Sequence, residues 1–256
     1  MKQTIHIILL VFAPFLLKSQ TIASNTMESS KFKWAEHPDS TEFSIDISAD
    51  YFLIGTLNGY LGRKYYNTVE NSIDQYKNAN QLKNYIYNFV QEYYQITPDT
   101  TERYYLKSPI VAKKINSYFD QEGKITLIGF KNESETYSYI LGKYLRYGEH
   151  LKNNIYKIQL VNSFEGNLVY RSLKDLGCDN ILYKNYRGYI PTSQFYYFEA
   201  TPRMIKLFNT FTTLKEAMKR EYLTSFIENK SYESIEKDFQ EFKEREYKKV
   251  EIAFSK

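Results

Sequence analysis

The feature that most constrains the fold is an alternation of strand-like and helix-like segments over residues 124–184. Residues 124–130 (KITLIGF) and 155–161 (IYKIQLV) have the β-branched, apolar composition of strands, and helix-like segments follow both. Such alternation is typical of βαβ units with a parallel sheet. The sequence therefore predicts an α/β fold, a small and mostly parallel sheet from βαβ units flanked by helices, with a helical C-terminal extension.

A second strand signal precedes this unit. Residues 51–57 (YFLIGTL) form a continuous apolar run that stops at Asn58-Gly59. Such a run suits a buried strand that enters a tight turn, because Asn and Gly tolerate positive φ. Residues 43–47 alternate apolar and polar side chains and predict a short, half-buried strand.

Three helix starts can be read from capping residues. Ser108 and Thr201 each precede a proline, and Asn132 precedes Glu135 by three positions, as in a capping box. Helical spacing over 60–119 and 202–250 predicts helices that cover the sheet. No internal sequence repeat is visible.

The N-terminus has the pattern of a secretory signal peptide over residues 1–23. Lys2 is followed by the apolar run 5–17 and then by small and polar residues, so that cleavage after Ser19 or Ala23 fits equally well. The run is too short for a transmembrane helix, and no later segment is long and apolar enough. We therefore expect export to the periplasm or the medium, without a transmembrane segment in the mature chain.

The remaining chain divides into three predicted parts. Residues 24–42 are polar and predict a loosely ordered lead-in, and 43–213 are predicted to form the α/β domain. Residues 214–256 are predicted to be C-terminal helices that pack on that domain, since their interleaved acidic and basic residues are typical of a solvated helix surface.

Charge and composition restrict the partners. The net charge is +4, and removal of two lysines with the leader leaves 34 − 2 = 32 basic against 30 acidic residues. This balance gives no electrostatic case for nucleic acid, so we expect a small molecule, a glycan or a protein as partner. The 26 tyrosines fit either a tyrosine-rich binding face or AT-rich codon usage, and their dispersal favours the second interpretation.

Metal and redox chemistry is disfavoured. Outside the leader the histidines are His37 and His150, too few for a three-histidine zinc site. Cys178 is the only cysteine, which excludes an intramolecular disulfide and CxxC motifs, and we expect it to be buried. No cofactor and no metal are predicted.

The site candidates come from position alone. Weak catalytic candidates lie near predicted strand ends, where α/β sites form, or at a loop, and they are His150, Glu133, Glu165 and Arg171. Candidate ligand contacts lie in turn-like segments, and they are Asn58, Gly59 and Arg187.

Residues 51–60 (YFLIGTLNGY), 110–131 and 179–183 (DNILY) resemble segments of the erythromycin esterase-like and ChaN/TraB-like secreted families. The resemblance implies a strand at 51–57 that ends beside a hydrolytic centre. Thr56 stands where the esterases place an acid, and Asn58 where the family places a histidine. The resemblance therefore implies a degenerate member that has lost the hydrolytic centre.

Two functions follow from this sequence. The first is a secreted or periplasmic protein that acts as a non-catalytic or degenerate hydrolase-like binding module. The alternative is a hydrolase that uses carboxylates and arginine at the strand ends of the 124–184 unit.

Overall fold

A computed structural model describes residues 45–63, 70–126, 129–186, 191–225, 227 and 231–255. Within them the chain forms eight helices and six strands. The helices are α1 (Ala49–Thr56), α2 (Asn80–Tyr94), α3 (Pro109–Asn116), α4 (Glu133–Tyr147), α5 (Gly166–Asp175), α6 (Pro202–Asn209), α7 (Thr212–Thr224) and α8 (Tyr232–Phe254). The strands are β1 (Ser72–Gln75), β2 (Tyr105–Lys107), β3 (Gly148–Lys152), β4 (Ile155–Val161), β5 (Ile181–Tyr186) and β6 (Ser193–Glu199).

The predicted α/β fold with a mostly parallel sheet is wrong. The strands form two antiparallel sheets, one of β1 and β2 and one with the order β3-β4-β6-β5. Strands β4 and β5, which flank α5, do run in the same direction, because each is antiparallel to β6. They are not neighbours, since the β5–β6 hairpin places β6 between them. The chain therefore alternates strand and helix here without forming a parallel pair.

The apolar run that predicted a strand at 51–57 forms helix α1 instead. Its residues from Tyr51 to Thr56 are all buried. A short continuous apolar run does not distinguish a strand from a buried helix, because neither leaves a polar face to set a period. The strand predicted at 124–130 is also wrong in the described residues, where Ile125 forms only an isolated bridge to Phe119.

Helices α1 and α4 form the centre of the molecule and pack with their backbones in contact. A Cβ atom built on Gly55 would lie 2.3 Å from the carbonyl oxygen of Tyr139, and one on Gly142 would lie 2.3 Å from that of Phe52. These distances are far below any real Cβ contact, so both positions require glycine. At the start of α1, the Ser48 amide donates to Ser138 Oγ at 2.9 Å.

The order of elements on either side of this helix pair repeats, although the sequence shows no repeat. Helix α1 is followed by β1, α2, β2 and α3, and α4 is followed by β4, α5, β6 and α6, with β3 and β5 as additional strands. The strands β1 and β2 pair antiparallel, as do β4 and β6. The fold therefore consists of two similar halves that meet through α1 and α4.

Local sequence signals for helix starts are confirmed. The side chains of Ser108, Asn132 and Thr201 accept hydrogen bonds from the backbone amides three residues later, at 3.4, 2.9 and 3.4 Å.

Cys178 is buried as predicted, and burial raises the pKa of its thiol to about 12.

The four-stranded sheet has an inner face, packed on helices, and an outer face. On the inner face Tyr156 contacts Tyr144 of α4 and Phe208 of α6, with ring centroids 5.7 and 5.1 Å apart. On the outer face a separate apolar cluster joins the sheet to α8. The outer face comprises Glu149, Leu151, Ile155, Lys157, Gln159, Val161, Leu182, Lys184, Tyr186, Ser193, Phe195, Tyr197 and Glu199.

The predicted signal peptide and the lead-in lie outside the described residues, and the division at residues 43–213 and 214–256 stays a prediction. Among the helices that the structure describes, we find none with the length and apolarity that a membrane crossing requires.

Candidate functional site

The candidate residues from the sequence are mostly far from one another. Asn58, Gly59 and Glu165 lie together beside a small pocket at the end of α1, where a Cβ on Gly59 would lie 2.7 Å from Glu165 Oε2. His150 stacks on Tyr156 at 4.5 Å and contacts the Asn153 carbonyl oxygen through Nε2 at 2.8 Å. None of the other described candidates lines this pocket.

The remaining candidates occupy other surfaces. Glu133 begins α4 and forms an ion pair with Arg203 at 2.7 Å. Arg171 is exposed on α5, and Arg187 lies outside the described residues. The roles proposed for these residues stay predictions, but the described ones do not form a common catalytic centre.

The turn after α1 is held by side chains of α4. The Tyr147 hydroxyl donates to the Leu57 carbonyl oxygen and accepts from the Gly59 amide, both at 3.1 Å. The Asn58 amide donates to Asp74 Oδ2 at 2.8 Å. The backbone amides of Asn58 and Gly59 are therefore held by side chains of other elements. Neither residue has positive φ, which occurs instead at Leu61 and Gly62, so the reason given for an Asn-Gly turn is wrong.

Two buried ion pairs lie beneath this turn. Arg146 pairs with Asp74 and also donates to the carbonyl oxygens of Thr56 and Gln75 at 2.7 and 3.0 Å. Lys143, which is fully buried on α4, pairs with Glu165 at the start of α5. Burial lowers the pKa of Lys143, and the Glu165 carboxylate opposes this shift.

We call Asp74, Lys143, Arg146, Tyr147 and Glu165 the polar cluster. Each of its carboxylates is already paired with a cation of the same chain, so neither is free to act as a general base or a metal ligand. No group of three His, Cys, Asp or Glu side chains suited to a metal occurs in the part of the chain that the structure describes. The polar cluster therefore fixes the ends of α1 and α4 and the turn after α1.

A further cation closes the C-terminus of α4. Lys215 of α7 donates through Nζ to the carbonyl oxygens of Tyr144, Leu145 and Gly148 at 3.3, 3.1 and 2.6 Å. Carbonyl oxygens at the end of a helix lack the amides of a following turn, and the ammonium group supplies donors in their place. Burial lowers the pKa of Lys215 to about 8.

The lowered pKa predicts a pH dependence of stability. Between pH 8 and the ordinary lysine pKa of 10.5, the unfolded chain binds a proton at Lys215 that the native protein has released. Stability from this group should therefore rise with pH across that window, by at most about 1.4 kcal/mol per pH unit. Below pH 8 both states are protonated and the group adds no pH dependence.

This is measured by urea unfolding of the wild type and of Lys215→Met at pH 7, 8 and 9.5. The free energy of unfolding of the wild type, relative to the variant, should change little from pH 7 to 8 and rise from pH 8 to 9.5. Subtracting the free energy of unfolding of the variant removes the pH dependence that the tyrosines contribute to both proteins. A difference that stays flat over the same interval would show that the pKa of Lys215 is not lowered in the folded protein.

The outer face of the sheet carries an arrangement that the sequence analysis missed. Phe195 and Tyr197 stack with ring centroids 6.1 Å apart, and the Tyr186 ring meets Phe195 edge-on at 5.4 Å. Lys184 Nζ lies 5.2 Å from the centroid of Tyr197. Alternation along β5 and β6 would have placed these residues on one face, had the two strands been recognised as neighbours.

Lys184 differs from Lys157 on the same face. Lys157 is paired with Glu149 and Glu246, both at 2.8 Å. Lys184 has no carboxylate partner among the described residues, and it is opposite Phe195 in the β5–β6 register. Helix α8 packs over the other end of the face, at Leu151, Ile155 and Tyr197, and Phe195 is partly buried against the edge of this cluster. The end that carries Lys184 thus presents an ammonium group beside aromatic rings.

Comparison with solved structures finds several chains that match with low similarity. No family model and no curated protein matches the chain. The solved structure of full-length DUF199/WhiA from Thermatoga maritima matches with 13% identity and a TM-score of 0.41, covering 74% of this chain and 65% of that one. This chain therefore spans less than two thirds of the length of that structure.

The resemblance to the erythromycin esterase-like and ChaN/TraB-like families is wrong. It required a core strand at 51–57, and these residues form α1 and the turn after it. No family model supports the resemblance either. The degenerate hydrolase-like module was inferred from this resemblance and is wrong with it. The alternative, a hydrolase at the ends of parallel strands, is also wrong, because the described sheets contain no parallel strand pair.

Two further predictions are corrected. Export to the periplasm or the medium rested on residues outside the described range, and it is not carried further. The exclusion of nucleic acid rested on the net charge of the whole chain. Net charge does not report where individual cations lie, and Lys184 lies beside aromatic rings with no described carboxylate as partner.

Proposed function

We propose that the protein binds nucleic acid through the open end of the outer face. The observation that carries this proposal is Lys184, a cation without a carboxylate partner among the described residues. It lies opposite Phe195 in the β5–β6 register, with Nζ 5.2 Å from the centroid of the Tyr197 ring. We call Gln159, Lys184, Tyr186, Ser193 and Phe195 the open surface. They occupy two adjacent cross-strand rows of β4, β5 and β6.

The chemistry of the open surface suits a single strand. An ammonium group binds phosphate, and flat aromatic rings accept stacked bases of any sequence. Gln159 and Ser193 add neutral hydrogen-bonding groups at the same end of the sheet. A sheet face that carries aromatic rings is a known platform for splayed bases, because it keeps the rings at fixed spacing. The open surface would therefore bind mainly through phosphate contacts and stacking.

The interior supports such a surface. Helix α4 ends at Tyr147 and β3 begins at Gly148, so the sheet continues directly from the central helix pair. The polar cluster fixes that end of α4 to the turn after α1 and to β1. A binding surface held by a rigid scaffold loses less entropy on binding than one made of loops.

The test is fluorescence anisotropy with a labelled single-stranded oligonucleotide and with its duplex, at 50 and 150 mM salt. Phe195→Leu should weaken single-strand binding by about 5- to 100-fold, because a base loses its stacking partner. Lys184→Gln should weaken binding and reduce the salt slope by about 0.7, the value for one phosphate contact on a single strand.

Lys113→Gln on α3 is the control, since this substitution removes the same charge. Lys113 is exposed and is not part of the four-stranded sheet. It should leave the affinity within about twofold at 150 mM salt, where distant charges are screened. Absence of binding to either nucleic acid at 50 mM salt would refute the proposed function. Equal losses in Lys113→Gln and Lys184→Gln would show non-specific attraction only and would refute a site at the open surface.

A further inference from the structure

Helix α8 lies on the outer face of the sheet with little apolar contact. Of its 23 residues, from Tyr232 to Phe254, only Tyr247 and Val250 are buried. Their partners on the sheet are Leu151, Ile155 and Tyr197. A helix of this length that buries two side chains gains little from apolar packing, which supplies most of helix stability in proteins. Its other described contacts include Lys219 of α7, which pairs with Glu236 at 2.9 Å.

In the polar contacts between α8 and the sheet, carboxylates of α8 pair with cations and a hydroxyl group of the sheet. Glu246 accepts from Lys157 Nζ at 2.8 Å and from the Tyr197 hydroxyl at 2.5 Å. Glu244 Oε1 lies 3.5 Å from Lys152 Nζ. An ammonium group and a phenol are also the donors that a nucleic-acid phosphate would use.

These donors continue the open surface. Tyr197 stacks on Phe195, and Lys157 Nζ lies 5.9 Å from the centroid of the Phe195 ring. Lys157 would keep Glu149 as a partner if α8 moved away, since this carboxylate belongs to β3. Departure of α8 would therefore free the already exposed Lys152 from Glu244, expose the Tyr197 ring and leave Lys157 with one carboxylate instead of two.

We propose that α8 is a displaceable cover of the nucleic-acid-binding face, in which Glu244 and Glu246 occupy the positions of two phosphates. The complete interface then extends beneath α8 to Lys152, Lys157 and Tyr197. A bound strand and a docked α8 exclude each other on this part of the sheet. The inference rests on the proposed function, because it extends the surface that was assigned there.

The test measures oligonucleotide affinity of the full chain with both glutamates neutralised, in Glu244→Gln/Glu246→Gln. The variant should bind about tenfold more tightly at 50 mM salt than the wild type, and its salt slope should be steeper by about 0.7 for each additional phosphate that the protein binds. Lys157 keeps its pair with Glu149, so the sheet should remain folded, as circular dichroism would check.

The matched control is Glu241→Gln combined with Glu233→Gln. Both residues are exposed on α8, neither forms a described ion pair with another element, and the double substitution removes the same two negative charges. A rise in affinity as large as that of the sheet-facing variant would refute the cover, since net charge alone would then explain both. An unchanged affinity of the sheet-facing variant would also refute it.

Hydrogen exchange of the wild type gives a second, independent readout. Amides of residues 244–254 should exchange faster when the oligonucleotide is added, because the strand displaces α8. Unchanged or slower exchange, in a wild type whose binding depends on Lys184, would overturn the cover and leave the proposed function intact. Absence of binding to wild type and variants alike would overturn both.

Discussion

Gly142→Ala should destabilise the protein by at least about 3 kcal/mol, the upper range for overpacking of a core. The new Cβ would lie 2.3 Å from the Phe52 carbonyl oxygen and 2.9 Å from Gly55 Cα. Both obstacles are backbone atoms, so no side-chain rotation relieves the clash and α1 must move away from α4. The measurement is the free energy of unfolding in urea, followed by circular dichroism.

Gly129→Ala is the control, because a Cβ at Gly129 would meet no atom within 4 Å. It should change stability by less than about 0.5 kcal/mol. Gly55→Ala should be as costly as Gly142→Ala, since its Cβ would lie 2.3 Å from the Tyr139 carbonyl oxygen. The double variant should cost less than the sum, because a single separation of the helices relieves both clashes. Unfolding of Gly142→Ala at the wild-type urea concentration would contradict this packing.

Features of the fold that are set by neighbouring residues could be predicted from the sequence. Ser108, Asn132 and Thr201 cap helices as expected, because a cap needs only an amide three positions along the chain. The bounds of strand β4 agree with the predicted segment 155–161, since alternation and composition are also local signals. Helix caps and strand bounds of this kind depend on nearby residues and not on how the strands are ordered in the sheet.

Features that depend on distant contacts could not be predicted. The position of β6 between β4 and β5 follows from hairpin pairing, which leaves no mark in the pattern of either strand. Helix α1 has the sequence pattern of a strand because its burial against α4 removes the polar face that would show a helical period. The wrong fold class and the wrong family resemblance both follow from these two features.

The candidate site was only partly accessible from the sequence. Asn58, Gly59 and Glu165 are sequence candidates that do lie together. Their hydrogen bonds and ion pair hold the turn after α1 and the start of α5 in place. Lys143 was missed, because a lysine is rarely buried without a partner and its partner is 22 positions away in the chain. Its neighbours in α4 carry a usable signal, since the apolar residues 139–141 precede Lys143 and 144–145 follow it.

Lys143→Met should cost about 3–5 kcal/mol of stability, the second large effect that we expect. The substitution keeps the apolar stem of the side chain but leaves the Glu165 carboxylate buried without its cation. Adding Glu165→Gln removes the uncompensated charge, and the amide can still pair with Ser163, whose hydroxyl lies 3.4 Å from Glu165 Oε2. The double variant should therefore be more stable than Lys143→Met by about 1 kcal/mol or more.

Urea unfolding of the wild type, both single variants and the double variant gives the coupling energy of the pair. Lys124→Met is the control, because its pair with Glu122 is exposed, with side chains 44% and 70% accessible. A pair of that kind contributes less than about 1 kcal/mol, since water screens both charges. If the two single substitutions at the buried pair were additive, Lys143 and Glu165 would not interact, and the end of α4 would have to be held by Arg146 and Tyr147 alone.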